Sequence, residues 1–144
     1  MLVYQEYNFD IVLLYKFMKK LLIIIFSLIC SNSIALEKNT NFKDKIFKKA
    51  QSEGKIIVIN SWNEFCTTCK KQIKILDQAE NHFQEVLFLN YEQTENKDIA
   101  KKLKIDYWTT IVIYSGQKEI YRSMGVTNKN ELYLVIENII QNKI

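Results

Sequence analysis

Two cysteines, Cys66 and Cys69, stand three positions apart in "SWNEFCTTCKK", residues 61–71. Three kinds of chemistry suit such a pair. It can exchange electrons with other thiols, supply two ligands to a metal, or close a small structural disulfide. Redox exchange asks for a helix N-terminus at Cys66. There the unpaired backbone N–H groups and the helix dipole favour the thiolate, which is the nucleophile. Cys69, one turn on, then attacks the mixed disulfide and releases the product. A structural zinc site wants four ligands. Beyond residue 35 the chain offers two thiols and the lone His82, so one molecule does not complete such a site. A structural disulfide with so short a loop constrains the unfolded chain little.

The flanking segments say which chemistry can be positioned. "KIIVINSW" before the pair is an apolar, β-branched run, the pattern of a buried strand. From Cys66 onward Ile73, Leu76, Ala79, Glu80 and Phe83 follow a helical pattern. Upstream, "FKDKIFKKAQSEGK" carries Phe42, Ile46, Phe47 and Ala50 at helical spacing, and Gly54 closes it. "EVLFLNY" predicts a second buried strand and "NKDIAKKLKI" a short helix. "TTIVIYSGQKEIYRSM" predicts two strands around a turn at Gly116. "NKNELYLVIENII" predicts a last helix with Leu132, Val135, Ile136 and Ile139 on one side. Alternation followed by a hairpin predicts an α/β domain, a mixed sheet with helices on both faces. A C-x-x-C between strand and helix in that setting reads as a redox motif.

The N-terminus carries an address. Lys19 and Lys20 follow Met18, Leu21–Cys30 is an apolar run, and Ser33 and Ala35 are small residues at the positions a signal peptidase reads. The apolar run is about half the ~20 residues a membrane span needs. The expectation is a signal peptide over 18–35, cleaved after Ala35, with an uncleaved anchor as the alternative. Cys30 leaves with it. Met1–Phe17 precedes a complete signal and fits no role in it, so the start is expected at Met18 and residues 1–17 are read as an upstream extension. The domain is then 36–144.

The chain of 144 residues has a formal charge of +4, no proline and three glycines. The charge comes from scattered lysines and a single arginine, without the clusters that track phosphates. Nucleic-acid binding is not expected.

From about Lys55 to Ile140 the chain resembles thioredoxin. "INSWNEFCTTCKK" is similar to the family's strand, tryptophan and active-site loop, with Trp62 at the tryptophan under the cysteines. "ILDQA", "VLFLNYE" and "TTIVIYSGQKE" match the following helix, the central strand and the hairpin. Gly125 falls at the family's glycine near the substrate groove. The resemblance implies a thioredoxin fold, a redox-active Cys66–Cys69 disulfide in place of any cofactor or metal, Cys66 as nucleophile and Cys69 as resolving thiol.

The departures from the family are specific. Thr67 and Thr68 replace its usual Gly-Pro, so the family's redox poise does not carry over. Phe65 stands where a second tryptophan is common. Asn60 occupies the buried aspartate position and Phe88 that of its partner lysine. Losing both charges together leaves a neutral, packable site, where losing one would strand the other. Thr109 falls at the family's cis-proline. A cis bond before a non-proline residue costs ~3–4 kcal/mol, so a trans bond is expected, with the loop displaced and Trp108 turned toward the cysteines. Trp108 either lines the groove there or packs in the core. Thr109→Pro is then expected to raise generic reductase activity, provided the loop accepts the family's geometry.

Two functions remain in view. One is an exported, periplasmic thiol–disulfide oxidoreductase, or a membrane-anchored one facing the periplasm. It would act on protein disulfides with an upstream thiol donor. The single helix between Cys69 and Val86 leaves no room for the insertion of the dedicated bacterial oxidase, so a reductase or isomerase-like role fits better. The other is a non-catalytic module that binds protein in the groove, or a metal shared between two molecules.

Overall fold

The structure is a computed structural model describing residues 14–20 and 40–142. The chain divides into two compact units, Met1–Ala35 and Leu36–Ile144. In the first, residues 14–20 are helical and exposed. Most of the expected signal segment, residues 21–35, lies outside the described residues. Among those described, no helix is long and apolar enough to cross a membrane.

The second unit runs β1 (Thr40–Asn41), α1 (Asp44–Ser52), β2 (Ile56–Trp62), α2 (Thr67–His82), β3 (Leu87–Glu92), α3 (Lys97–Leu103), β4 (Thr110–Ser115), β5 (Lys118–Met124) and α4 (Lys129–Gln141). The sheet order is β1-β3-β2-β4-β5. β3 pairs parallel with β1 and β2, while β4 pairs antiparallel with β2 and β5. This is the expected mixed sheet with one difference. The two-residue β1 precedes the first helix, so Phe42 lies outside that helix, its N–H donating to the Asn90 carbonyl at 2.8 Å.

Strand periodicity explains the two cores. Successive side chains point to opposite faces. Ile57 and Ile59 join Phe42, Phe47, Leu89 and Leu103 beneath α1 and α3. Ile56 and Val58 join Leu76, Phe83, Leu132 and Ile136 beneath α2 and α4. A strand covered on both faces must be apolar throughout, which is why "IIVI" shows no alternation. The β4–β5 hairpin turns at Gly116 (φ +56°), and a Cβ there would meet the Gly54 Cα at 3.4 Å. Arg122 in β5 donates to the carbonyls of Leu103 and Lys104 and so satisfies the C-terminus of α3.

The helical face of α2 differs from the sequence reading. Its buried residues are Cys69, Gln72, Leu76 and Ala79, while Ile73 and Glu80 are only partly buried. Positions 72 and 73 both stack on 76, being four and three residues before it. Apolarity favours Ile73 for the core, yet the helix is rotated so that Gln72 goes in.

Candidate active site

The end of β2 delivers the cysteines to the start of α2. Asn63 shapes the turn between them. Its Oδ1 accepts from the Phe65 N–H at 3.0 Å, an Asx turn, and its Nδ2 donates to Glu92 Oε1 at 2.8 Å. Glu92 also accepts from the Thr94 hydroxyl and the Glu95 N–H. Burial pushes the Glu92 carboxyl up, but those hydrogen bonds outweigh it and hold the carboxyl below its ordinary range. A buried carboxylate thus anchors the loop ahead of Cys66.

Cys66 is the N-cap of α2, in extended conformation, and its Sγ accepts from the Cys69 N–H at 3.1 Å. The two cysteines are joined as a disulfide with Cα atoms 5.2 Å apart. Cys66 is partly exposed and Cys69 fully buried. The first turn of α2 has no acidic side chain. On reduction, the N–H groups and dipole of this 16-residue helix would favour the thiolate of Cys66, the thiol of the pair that solvent reaches.

Cys66 opens onto a cleft of about 570 Å³ lined by Asn63, Phe65, Thr67, Thr68, Thr94 and Trp108. Phe65 is 83% and Trp108 46% exposed, two large aromatics that the fold leaves uncovered. Trp62, by contrast, lines two other pockets, one with Asn60 and Phe88 and one with Glu64 and Asn96, and is not part of the cleft wall. Gly125 (φ +77°) is also off the wall; its N–H donates to the Thr109 carbonyl at 2.8 Å.

Thr109 carries the strain of the site. Every peptide bond among the described residues is trans, and Thr109 has φ +59°. This left-handed conformation is costly for a β-branched residue, about 1–3 kcal/mol. The surroundings hold it there. Its N–H donates to the Ser61 carbonyl at 2.8 Å. Its carbonyl accepts from Gly125 and from Gln72 Nε2, the latter at 3.2 Å. Its hydroxyl donates to the Trp108 carbonyl. Both backbone groups of Thr109 are therefore engaged inside the domain.

The neutral pair is not fully packed. Asn60 and Phe88 are buried, but they line a cavity of about 280 Å³ together with Trp62, Ile73 and Asp77. Asn60 Oδ1 has no hydrogen-bond partner. His82, stacked on Tyr133 at the far end of α2, is about 24 Å along the helix axis from Cys66. Among the described residues no group of three or more His, Cys, Asp or Glu could hold a metal ion.

Three residues of this arrangement were not legible as site residues: Asn63, Gln72 and Glu92. An Asn two positions before Phe65 is a weak Asx-turn signal. Gln72 and Glu92 act across the fold and leave no local mark.

The family model named Thioredoxin matches residues 33–138. The chain belongs to the thioredoxin family. A thioredoxin H-type of Fagopyrum esculentum is 29% identical over 86 residues, covering 60% of this chain and 73% of that protein. The crystal structure of Trxlp from Edwardsiella tarda superposes with a TM-score of 0.60 at 21% identity, over 67% of this chain and 95% of that one. Thioredoxin from Trypanosoma brucei brucei gives 0.65 at 19%, over 77% and 97%. As a thioredoxin-like redox protein the chain carries its reactive group in its own covalent structure, the Cys66–Cys69 disulfide. Members of the thioredoxin family exchange disulfides with other proteins and are recharged by reductant partners.

Proposed function

We propose that this thioredoxin-like chain is an exported oxidoreductase of protein disulfides, working as a reductase or isomerase-like helper. The observation that carries the proposal is the exposure contrast across the pair. Cys66 caps a long helix at an aromatic-lined cleft, while Cys69 is buried one turn behind it.

Each step then has a place. With the pair reduced, the Cys66 thiolate attacks one sulfur of a substrate disulfide. A mixed disulfide forms and the other substrate sulfur leaves as a thiolate. Cys69, deprotonated, attacks Cys66 Sγ and expels the second substrate thiolate. The substrate gains two electrons and, through solvent, the two thiol protons. The domain ends as the disulfide, and a dithiol donor of the same chemistry must reduce it again.

The absence of a helical insertion supports the reductive direction: α2 is continuous to His82 and β3 begins at Leu87. The basic, apolar and small-residue layout of residues 18–35 supports export. Protein binding without catalysis has an observation in its favour, the internal engagement of both Thr109 backbone groups.

The test is reduction of insulin disulfides by the full chain with dithiothreitol, together with a redox titration of the pair. Turnover with a reducing potential supports the proposal. A folded protein without turnover points to the binding module, and a strongly oxidising potential reverses the direction.

A further inference from the structure

Gln72 is a side chain that the exchange chemistry does not call for. It lies inside a helix, three residues after Cys69, and is completely buried. An apolar residue would fill this place without the desolvation penalty of a primary amide. Its Nε2 donates to two backbone carbonyls, Thr109 at 3.2 Å and Val126 at 3.0 Å. Because both partners are acceptors, the amide's orientation is fixed: the NH₂ must face them. Its Oε1 is left with no partner. The core thus tolerates an unsatisfied atom to keep this donor.

The two carbonyls flank the hairpin. Thr109 immediately precedes β4, Val126 follows β5, and Thr110 pairs with Met124 at the hairpin's open end. Gln72 therefore ties the helix that carries the cysteines to both chains of that end. One of those chains is the strained Thr109, whose neighbour Trp108 lines the cleft. We propose that Gln72 is a positioning residue for substrate selection, its amide holding the Trp108–Thr109 loop against the cysteine-bearing helix so that the cleft fits a polypeptide around the disulfide. The selection half rests on the exchange function proposed above; the positioning half does not.

Gln72→Met keeps the shape and removes the donor. In the full chain, amide exchange at Thr109 and Gly125 is expected to accelerate, with Val58 and Ile113 of the central strands unchanged. The kcat/KM for insulin should fall about ten-fold, mainly through KM, and reduction of small dithionitrobenzoate by less than about two-fold, the scale of the lost Thr109 hydrogen bond felt only by a docked chain. Uniform loosening of all amides, equal loss on both disulfides, or no change in either readout overturns the proposal. Should Gln72→Met not fold, Gln72→Glu decides. A carboxylic acid donates to one carbonyl and a carboxylate to none, so insulin selectivity should return on acidification and vanish as pH rises. A pH-independent ratio of the two rates overturns it. A wild-type chain that reduces neither disulfide would sink the functional reading, and the exchange rates at Thr109 and Gly125 would still decide the positioning.

Discussion

Cys66 and Cys69 differ in what surrounds them more than in what they are. Cys66 sits at a helix end within reach of solvent; Cys69 is enclosed. Cys66→Ser is therefore expected to abolish exchange. Cys69→Ser should still attack and accumulate mixed disulfides, visible on non-reducing gels. First labelling of Cys69 when the reduced protein is alkylated at moderate pH would reverse these roles. Glu92 offers a pH test. Its folded-state pKa is held below its ordinary value by the Thr94, Glu95 and Asn63 hydrogen bonds. A depressed carboxylate contributes stability above its unfolded pKa and loses it as pH falls through the folded one. Wild type should lose stability below about pH 4.5 more steeply than Glu92→Gln, as read by urea unfolding across pH. Thr109→Pro looks from resemblance alone like a repair, and the structure changes that expectation. Proline needs φ near −65° and lacks the N–H that reaches Ser61. It should cost more than about 1 kcal/mol by thermal unfolding. Thr109→Gly, free to adopt the left-handed backbone, should stay within about 1 kcal/mol of wild type.

At the scale of elements, α2 and α4 have different duties. α2 presents the cysteines and sends Gln72 across to the hairpin. α4 covers the sheet, with Leu132 and Ile136 fully buried, and packs its Tyr133 on His82 of α2. Its N-terminus is capped by Asn128, whose Oδ1 accepts from the N–H groups of Asn130 and Glu131. Asn128→Ala is expected to cost about 1 kcal/mol of stability. Insulin reduction by the folded variant should be unchanged, because none of these atoms touches the cleft. The sheet edge at β5 is protected by charge: Lys118, Glu119 and Arg122 lie along it. Such residues discourage pairing with a second chain.

At the scale of the whole molecule, the prediction concerns where the domain works. The segment Met18–Ala35 has the order of charge, apolar run and small residues that export machinery reads. Fused to a reporter that is active only outside the cytoplasm, it should give activity. A well-expressed but inactive fusion would remove the oxidising compartment from the proposal. There the disulfide state of Cys66–Cys69 would depend on a dedicated donor, since a reductase in such a place must be recharged against its surroundings.

The order of elements could be read along the chain because each is set by local pattern. Period and length distinguish the buried strands at 56–62 and 87–92 from the helices around them, and C-x-x-C at the strand–helix junction names its own chemistry. The two-residue β1 could not be read, since so short a strand exists only through its pairing with β3. Gln72 could not be read either, because Ile73 beside it is the more apolar choice and only packing decides a rotation of one residue. The departure at Thr109 was visible as a missing proline. What replaced it was not: a left-handed backbone held by Ser61, Gly125 and Gln72, residues 48, 16 and 37 positions away. The reactive atoms and the elements that carry them follow from local pattern, because both depend on near neighbours. The wall those atoms face comes from long-range contacts, because hydrogen bonds between distant segments leave no periodicity to read.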